Sequence, residues 1–191
     1  MQVNISINEQ SFLAVVEKIA KAEEFLSPED WIHLDISDGI FSSEKTWNNP
    51  DDLSAVKTNL NLEAHLMVEN PEVVLKNWLS ALRSATTGKI RVIVHFEVMS
   101  EPAYILEECK NLGAETGLAL KPNTSPELVG IYLRSFDLIL VLAVAPGKSG
   151  QAWQPKVLGV VSFLRNKNKD VIIEVDGGIM PLTARASKNA G

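Results

Sequence analysis

The segment Trp31-Ile32-His33-Leu34-Asp35-Ile36-Ser37-Asp38-Gly39 decides the fold of this 191-residue chain. Side chains of an extended strand point alternately to opposite faces, so His33, Asp35 and Ser37 share one face and the aliphatic residues between them share the other. The aliphatic face suits packing against helices. The opposite face carries an imidazole and a carboxylate two residues apart, which is a combination suited to metal binding and proton transfer. We therefore predict a strand whose polar face contributes to a functional site.

The rest of the chain alternates between strand and helix patterns. Short apolar runs predict six further strands, at residues 3–7, 62–68, 90–96, 116–120, 138–144 and 171–175. Helical spacing and terminal signals predict helices at residues 12–25, 51–57, 71–83, 101–112, 127–133, 155–167 and 183–189. Strands that are apolar throughout, such as residues 138–144, are typical of a parallel sheet covered by helices.

The position of the polar residues favours a barrel over an open, doubly wound sheet. No Gly-x-Gly-x-x-Gly motif follows the first strand, so a dinucleotide-binding fold has no support. Polar residues stand near the carboxyl ends of strands along the whole chain: Ser6, His33, Asp35, His65, His95, Lys121 and Asp176. A barrel brings all these ends to one face, whereas a doubly wound sheet collects only those at its switch point. We predict one α/β domain of the TIM (β/α)8-barrel type over residues 1–191.

Composition and charge exclude several classes of function. The net charge is -6 and the 18 basic residues are scattered, so the chain has no electrostatic footprint for nucleic acid. The single cysteine, Cys109, excludes an internal disulfide and fits a reducing compartment. The first residues lack a basic and apolar leader, and the longest apolar run, residues 138–145, is too short to span a bilayer. We expect a cytoplasmic protein without nucleic-acid or membrane partners.

Four of the strand-end residues form a plausible metal-binding set. His33, Asp35, His65 and Asp176 would meet at the mouth of the barrel as two imidazoles and two carboxylates. Such a mixed nitrogen and oxygen set suits Zn, Fe(II), Mn or Co, and without a thiolate the identity of the metal stays open.

Two glycine-rich turns are candidates for binding a phosphate group. The turn Pro146-Gly147-Lys148-Ser149-Gly150 contains Gly-Lys-Ser, but the nucleotide-binding loop requires a glycine where this chain has Leu142. Nucleotide binding is therefore not supported. Backbone amides of this turn, the charge of Lys148, and the Gly177-Gly178 turn can still bind a phosphate, although either turn alone is equally an ordinary tight connection.

Taken together, these motifs resemble the ribulose-phosphate 3-epimerase family over essentially the whole chain. The segments that carry the resemblance are Ser6-Ile7, residues 33–41, residues 65–71, His95-Phe96-Glu97, residues 117–124, Pro146-Gly147 with Gly150-Gln151, and residues 174–178. The resemblance implies a phosphate-binding TIM barrel that inverts C3 of D-ribulose 5-phosphate to give D-xylulose 5-phosphate, a reaction of the pentose phosphate pathway. It further implies that a small sugar phosphate is the binding partner.

The resemblance also implies roles for individual residues. Asp35 and Asp176 would be the two proton carriers, and both would join His33 and His65 in binding one divalent metal ion. The residues that would bind the substrate are Ser6, Met67, Gly147, Lys148, Ser149, Gly150, Gly177 and Gly178.

Departures from the family pattern concern the substrate pocket. The family usually has methionine at the positions of Ser37 and Leu142 and a polar residue at that of Ala145, and its phosphate turn has phenylalanine and glycine in place of Lys148 and Ser149. We expect the hydroxyl of Ser37 to form a polar wall beside the reaction intermediate. The alternative substrate is a hexulose 6-phosphate of the allulose 6-phosphate type.

The family continues beyond Gly191 into an eighth strand, a Gly-Ser phosphate loop and a final helix. We therefore expect a barrel that ends before the eighth strand, unpaired edges on the first and seventh strands, and weak substrate binding. A non-catalytic, truncated paralogue that acts as a structural or interaction protein is the alternative from a different class. Whether the chain forms a homo-oligomer stays open.

Overall fold

Seven parallel strands that alternate with helices form a curled half-barrel in the computed structural model, which describes residues 1–147 and 150–191. The strands are β1 (Ile5–Ile7), β2 (Trp31–Ser37), β3 (Asn61–Met67), β4 (Ile90–His95), β5 (Glu115–Leu120), β6 (Leu138–Leu142) and β7 (Ile172–Asp176). They lie in the sheet in the order of the chain, and each pairs with the next in parallel. This confirms the predicted TIM-type barrel that ends before an eighth strand.

The helices cover the outer face of the sheet. They are α1 (Phe12–Glu23), α2 (Pro71–Ala85), α3 (Pro102–Asn111), α4 (Val157–Lys167) and α5 (Pro181–Ala190). The two short segments predicted as helices near residues 51–57 and 127–133 are 3-10 helices, at Pro50–Ala55 and Pro126–Tyr132. Both are short and begin with proline, which suits the tighter 3-10 turn because a six- or seven-residue segment gains few α-helical hydrogen bonds.

The hydrophobic core has two parts. The larger lies between the sheet and the helices, where Ile32 and Leu34 of β2 are buried in one cluster with Leu75 and Trp78 of α2. The smaller fills the inside of the curl with Ile93, Ala119, Leu138, Leu140 and Leu142. Burial on both faces explains why β6 is apolar throughout.

The side of the molecule between β1 and β7 is open. Within the described residues, each of these two strands pairs with one neighbour only. Ile172 of β7 is 51% exposed, and none of the ten residues of α5, all of which the structure describes, is buried. The expected unpaired strand edges are therefore present. Separately, no helix among the described residues is both long enough and apolar enough to cross a membrane.

Candidate active site

The carboxyl ends of β2, β3 and β7 bring four predicted side chains to one point. His33 and Asp35 lie on β2, His65 lies on β3, and Asp176 is the last residue of β7. Each offers one nitrogen or oxygen atom such that all four atoms lie within 4.8 Å of one another. The register helps to produce this arrangement, because Asp35 pairs directly with His65 across β2 and β3.

The contacts within this cluster fit a metal ion. The Oδ1 atom of Asp35 lies 3.1 Å from Nδ1 of His65 and 3.3 Å from Nε2 of His33, and the two ring nitrogens are 3.3 Å apart. Two imidazole nitrogens and carboxylate oxygens that face a common point have lone pairs to share. Imidazole nitrogens and carboxylate oxygens are suitable ligands for divalent transition metals, so the residues present fit the predicted ion.

The electrostatics of the two aspartates differ. Burial acts to raise the pKa of Asp35, but hydrogen bonds with His33 and His65 outweigh it and hold that pKa well below its usual value. Burial and the nearby charge of Asp35 raise the pKa of Asp176. The structure thus holds one buried and one partly buried carboxyl group in close proximity, an arrangement that a cation between them stabilises.

Hydrogen bonds orient both histidine rings from the side opposite the cluster. Nδ1 of His33 lies 2.9 Å from Oε1 of Glu63, and Glu63 in turn pairs with Arg91. Nε2 of His65 lies 2.9 Å from Nε2 of His95. His95 was among the polar residues predicted at strand ends, but it had no predicted role. Partners of this kind fix the tautomer and orientation of a metal-binding histidine.

Two polar side chains from β1 and the loop after it hold Asp35. The hydroxyl of Ser6 donates a hydrogen bond to Oδ2 of Asp35 over 2.8 Å. The side-chain amide of Asn8 donates to the same oxygen over 3.2 Å and to the carbonyl of Gly147 over 3.3 Å. Asn8 was missed at the sequence level. It stands two residues after Ser6, at the end of β1, so the strand-end rule that selected the other residues also applied to it.

Ser37 was expected to form a polar wall beside the intermediate, but its hydroxyl contacts the loop after β2 instead. Its side chain is fully buried, its hydroxyl donates to the carbonyl of Glu44 over 2.6 Å, and its Oγ lies 2.7 Å from Oγ of Ser42. It thus secures the loop that follows β2. The cause is the path of this loop, which folds back over the end of its own strand and satisfies the hydroxyl.

A cavity of about 950 Å³ opens over the cluster and continues into the gap between β1 and β7. The predicted substrate-binding residues that line it are Ser6, Met67, Gly147, Gly150, Gly177 and Gly178. Leu142 lines it as well, whereas Lys148 and Ser149 lie outside the described residues.

Two turns at the cavity need glycine for reasons of local geometry. Gly147 and Gly177 have φ values of 101° and 95°, which side-chain-bearing residues rarely adopt. A Cβ atom on Gly147 would collide with Ser42, and one on Gly177 would collide with Val144. Close packing between loops therefore accounts for both glycines, and their contact with a phosphate stays a prediction.

Comparison with known proteins agrees with this geometry. The family model for the ribulose-phosphate 3-epimerase family matches residues 2–191. The ribulose-phosphate 3-epimerase of Chlamydia pneumoniae is 34% identical over 170 residues, which cover 85% of this chain and 71% of the relative. The enzyme of the same name from Schizosaccharomyces pombe is 33% identical over 167 residues, which cover 85% and 70%. The chain therefore belongs to the ribulose-phosphate 3-epimerase family.

Proposed function

We propose that this protein is a metal-dependent sugar-phosphate 3-epimerase that interconverts D-ribulose 5-phosphate and D-xylulose 5-phosphate. The observation that carries the proposal is the convergence of His33, Asp35, His65 and Asp176 within 4.8 Å at the carboxyl ends of the strands. The names of the relatives support the choice of substrate.

The proposed reaction requires two proton carriers. Inversion of a carbon next to a ketone removes its proton from one face, passes through an enediolate, and delivers a proton to the other face. Asp35 lies on β2 and Asp176 lies on β7. Strand β1 lies beside β2, and the open side of the molecule separates β1 from β7. One carboxylate accepts the C3 proton, the other carboxyl group donates its proton to C3, and the reverse reaction exchanges these roles.

The remaining residues of the site bind and orient. His33 and His65, together with the two aspartates, would hold one Zn, Fe(II), Mn or Co ion, which when bound stabilises negative charge on the substrate oxygens as a Lewis acid. Ser6 and Asn8 hold Asp35 in place through its Oδ2 atom.

The phosphate end of the substrate is assigned to the two glycine turns. Backbone amides at Gly147, Gly150, Gly177 and Gly178 would bind the phosphate. Lys148 and Ser149, which stand between Gly147 and Gly150 in the sequence, would also bind it. Met67 and Leu142 supply apolar surface to the cavity.

The wider setting completes the proposal. We propose that residues 1–191 act as one domain, in the cytoplasm, on a small sugar phosphate and without nucleic-acid or membrane partners. The scattered basic residues and the net charge of -6 support the absence of a nucleic-acid partner. The proposal leaves the oligomeric state open.

An assay of metal-stripped protein tests this function. D-ribulose 5-phosphate is supplied with Zn, Fe(II), Mn or Co added in turn, and the D-xylulose 5-phosphate that forms is measured. Allulose 6-phosphate is assayed in parallel reactions as the alternative substrate. We expect metal-dependent turnover of the pentulose phosphate. Folded protein that binds no metal and has no activity would instead support the non-catalytic paralogue.

Substitution of either proton carrier sharpens the test. We expect Asp35→Asn and Asp176→Asn each to lower turnover by roughly a hundredfold or more, because an amide cannot exchange the proton. Near-normal activity in a folded, metal-loaded Asp176→Asn variant would contradict the two-carrier mechanism.

A further inference from the structure

All three histidines of the chain lie in one row, with facing ring nitrogens 3.3 Å apart between His33 and His65 and 2.9 Å apart between His65 and His95. Only His33 and His65 belong to the proposed metal site. We propose that His95 and Glu97 are positioning residues, which fix the tautomer of His65 so that its Nδ1 lone pair is available to the metal. This inference rests on the proposed function, because it concerns the same metal site.

The row runs from the metal side to the outer side of the barrel mouth. Nδ1 of His65 faces Asp35 and His33, at 3.1 and 3.3 Å. Nε2 of His65 lies 2.9 Å from Nε2 of His95, and Nδ1 of His95 lies 3.1 Å from Oε2 of Glu97. Both His65 and His95 are fully buried. Each ring nitrogen of His65 and His95 therefore has an identified partner.

Glu97 sets the direction of the hydrogen bonds in this row. Its Oε1 atom accepts from the backbone N–H of Lys121 over 2.8 Å and from the hydroxyl of Thr124. Its Oε2 atom faces His95. Burial acts to raise the pKa of Glu97, but bonds from His95, Thr124 and Lys121 bring it to about 2, so this residue is an ionised carboxylate that only accepts.

The proton positions follow from this fixed end. A carboxylate at Glu97 requires a proton on Nδ1 of His95, which leaves the lone pair of His95 on Nε2. That lone pair favours a proton on Nε2 of His65, which leaves the lone pair of Nδ1 for a bound metal ion. Without the ion, the carboxylate of Asp35, 3.1 Å from Nδ1, favours the opposite tautomer, so the row acts when metal is bound. The reverse order would place a proton on Nδ1 of His65, where it would block a metal, and would set a His95 lone pair against a negative charge.

The other histidine of the site has the same kind of support. The outer nitrogen of His33 lies 2.9 Å directly from the carboxylate of Glu63. His65 is connected to its carboxylate through one additional imidazole. Both proposed ligands thus end on an anionic acceptor, which is a usual arrangement around metal-binding histidines.

An aromatic side chain covers the row. The ring of Phe41 lies 4.5 Å from the ring of His95, measured between centroids, and Nζ of Lys121 lies 3.7 Å from the centroid of the Phe41 ring. This cover limits the access of water to His95. A hydrogen bond shielded from water is stronger and more directional than an exposed one.

The substitution Glu97→Gln tests the direction of the row with little change in shape. A glutamine has one acceptor oxygen, whereas Glu97 uses two, so the amide NH2 group must face either His95 or the Lys121 backbone. We expect the affinity for Co(II), measured by competition with a chelator, to fall by about tenfold. We also expect His95→Phe, which removes the acceptor for His65, to weaken Co(II) binding by at least as much.

The matched control is Glu69→Gln. Glu69 is exposed and follows β3 near the same face of the barrel, so the substitution makes the same chemical change outside the row. We expect it to leave Co(II) affinity unchanged.

The ring tautomers provide a readout that a purely structural role would not move. In the Zn-loaded protein we expect 15N chemical shifts to show His65 protonated at Nε2 and His95 protonated at Nδ1, with this preference weakened in Glu97→Gln. A wild-type His95 protonated only at Nε2 would overturn the inference, even if His95→Phe fails to fold. Unchanged Co(II) affinity and unchanged tautomers in folded Glu97→Gln would do so as well.

The result also separates this inference from the proposed function. If the wild-type protein binds no Co(II), the metal site of the proposed function fails, and the row no longer acts on a metal ligand. If the wild-type protein binds Co(II) and turns over substrate, but Glu97→Gln matches it in affinity and tautomers, only the role of His95 and Glu97 is rejected.

Discussion

Asp35 illustrates how one carboxylate is held by residues of two neighbouring strands, β1 and β3, and of the loop after β1. Its Oδ1 atom faces His65 on β3, while its Oδ2 atom accepts from Ser6 on β1 and from Asn8 just beyond it. A carboxylate fixed from both sides has little rotational freedom to lose when the substrate binds. The orientation of Asp35 thus depends on residues that transfer no proton in the proposed reaction.

Asn8 offers a direct test of this dependence. We expect Asn8→Ala to lower kcat about tenfold with a smaller change in KM, because it removes one charge-assisted hydrogen bond to the Asp35 carboxylate and the bridge to Gly147. Steady-state kinetics on the pentulose phosphate measure the effect. Asn59→Ala, at an exposed position before β3, is the control that should behave like wild type. Equal kcat values for the Asn8 and Asn59 variants would contradict the role.

At this scale the sequence predicted the four cluster residues but not all of their partners. His33, Asp35, His65 and Asp176 could be selected because parallel strands align their carboxyl ends. The bonds of Ser37 could not be anticipated, since they depend on how the aperiodic loop after β2 folds back. Hydrogen-bond partners brought together by such a loop leave no periodic signal in the sequence.

The strands were predicted more accurately than the short connecting helices. The apolar run of β6 and the alternating apolar residues of β2 and β3 are patterns that can be recognised locally. The segment Pro50–Ala55 has only six residues, and its 3-10 geometry depends on packing against α2, with which it makes extensive contact. Local propensity cannot distinguish these two helix types over so short a segment.

The surroundings of two glycines, one in a strand and one in a helix, predict opposite effects of an alanine substitution on the free energy of unfolding. A Cβ atom on Gly117 of β5 would lie 2.7 Å from Cγ1 of Ile93 on β4, whereas one on Gly159 of α4 would meet nothing within 4 Å. We expect Gly117→Ala to lower the free energy of unfolding by about 1–3 kcal/mol through overpacking. Gly159→Ala should raise it by up to about 1 kcal/mol, because alanine favours a helix.

Urea denaturation of the two variants beside wild type measures both changes. The pair is informative because the chemical change is identical and only the surroundings differ. Loss of stability in Gly159→Ala, or no loss in Gly117→Ala, would contradict this account of the packing.

For the whole molecule, stability is expected to fall from the centre of the sheet towards its open side. All residues of β3 and β4 are buried, whereas β7 is partly exposed along its length and α5 has no buried residue among its described positions. Segments with few buried contacts open locally at a lower free energy than the core. The fold class was predictable from the sequence, but this gradient depends on the packing of entire layers.

Hydrogen exchange measures this gradient. We expect backbone amides of β7 and α5 to exchange at least tenfold faster than those of β3 and β4 under native conditions, because fewer contacts must be broken to expose them. Exchange measured by mass spectrometry on peptides from each segment provides the comparison. Equal protection across β3, β4 and β7 would show that something covers the open side in solution.

The sheet order also has a consequence for how the chain folds. Every strand pair joins consecutive strands, as with Ile5 and Ile32 at one end and Leu142 and Asp176 at the other. The described strands can therefore pair without any contact between the first and the last, so the loops closed at each step stay short. Low sequence separation between paired strands favours rapid assembly. Each strand that emerges from the ribosome can pair with the strand that was synthesised just before it. The half-barrel is thus suited to strand-by-strand folding during synthesis.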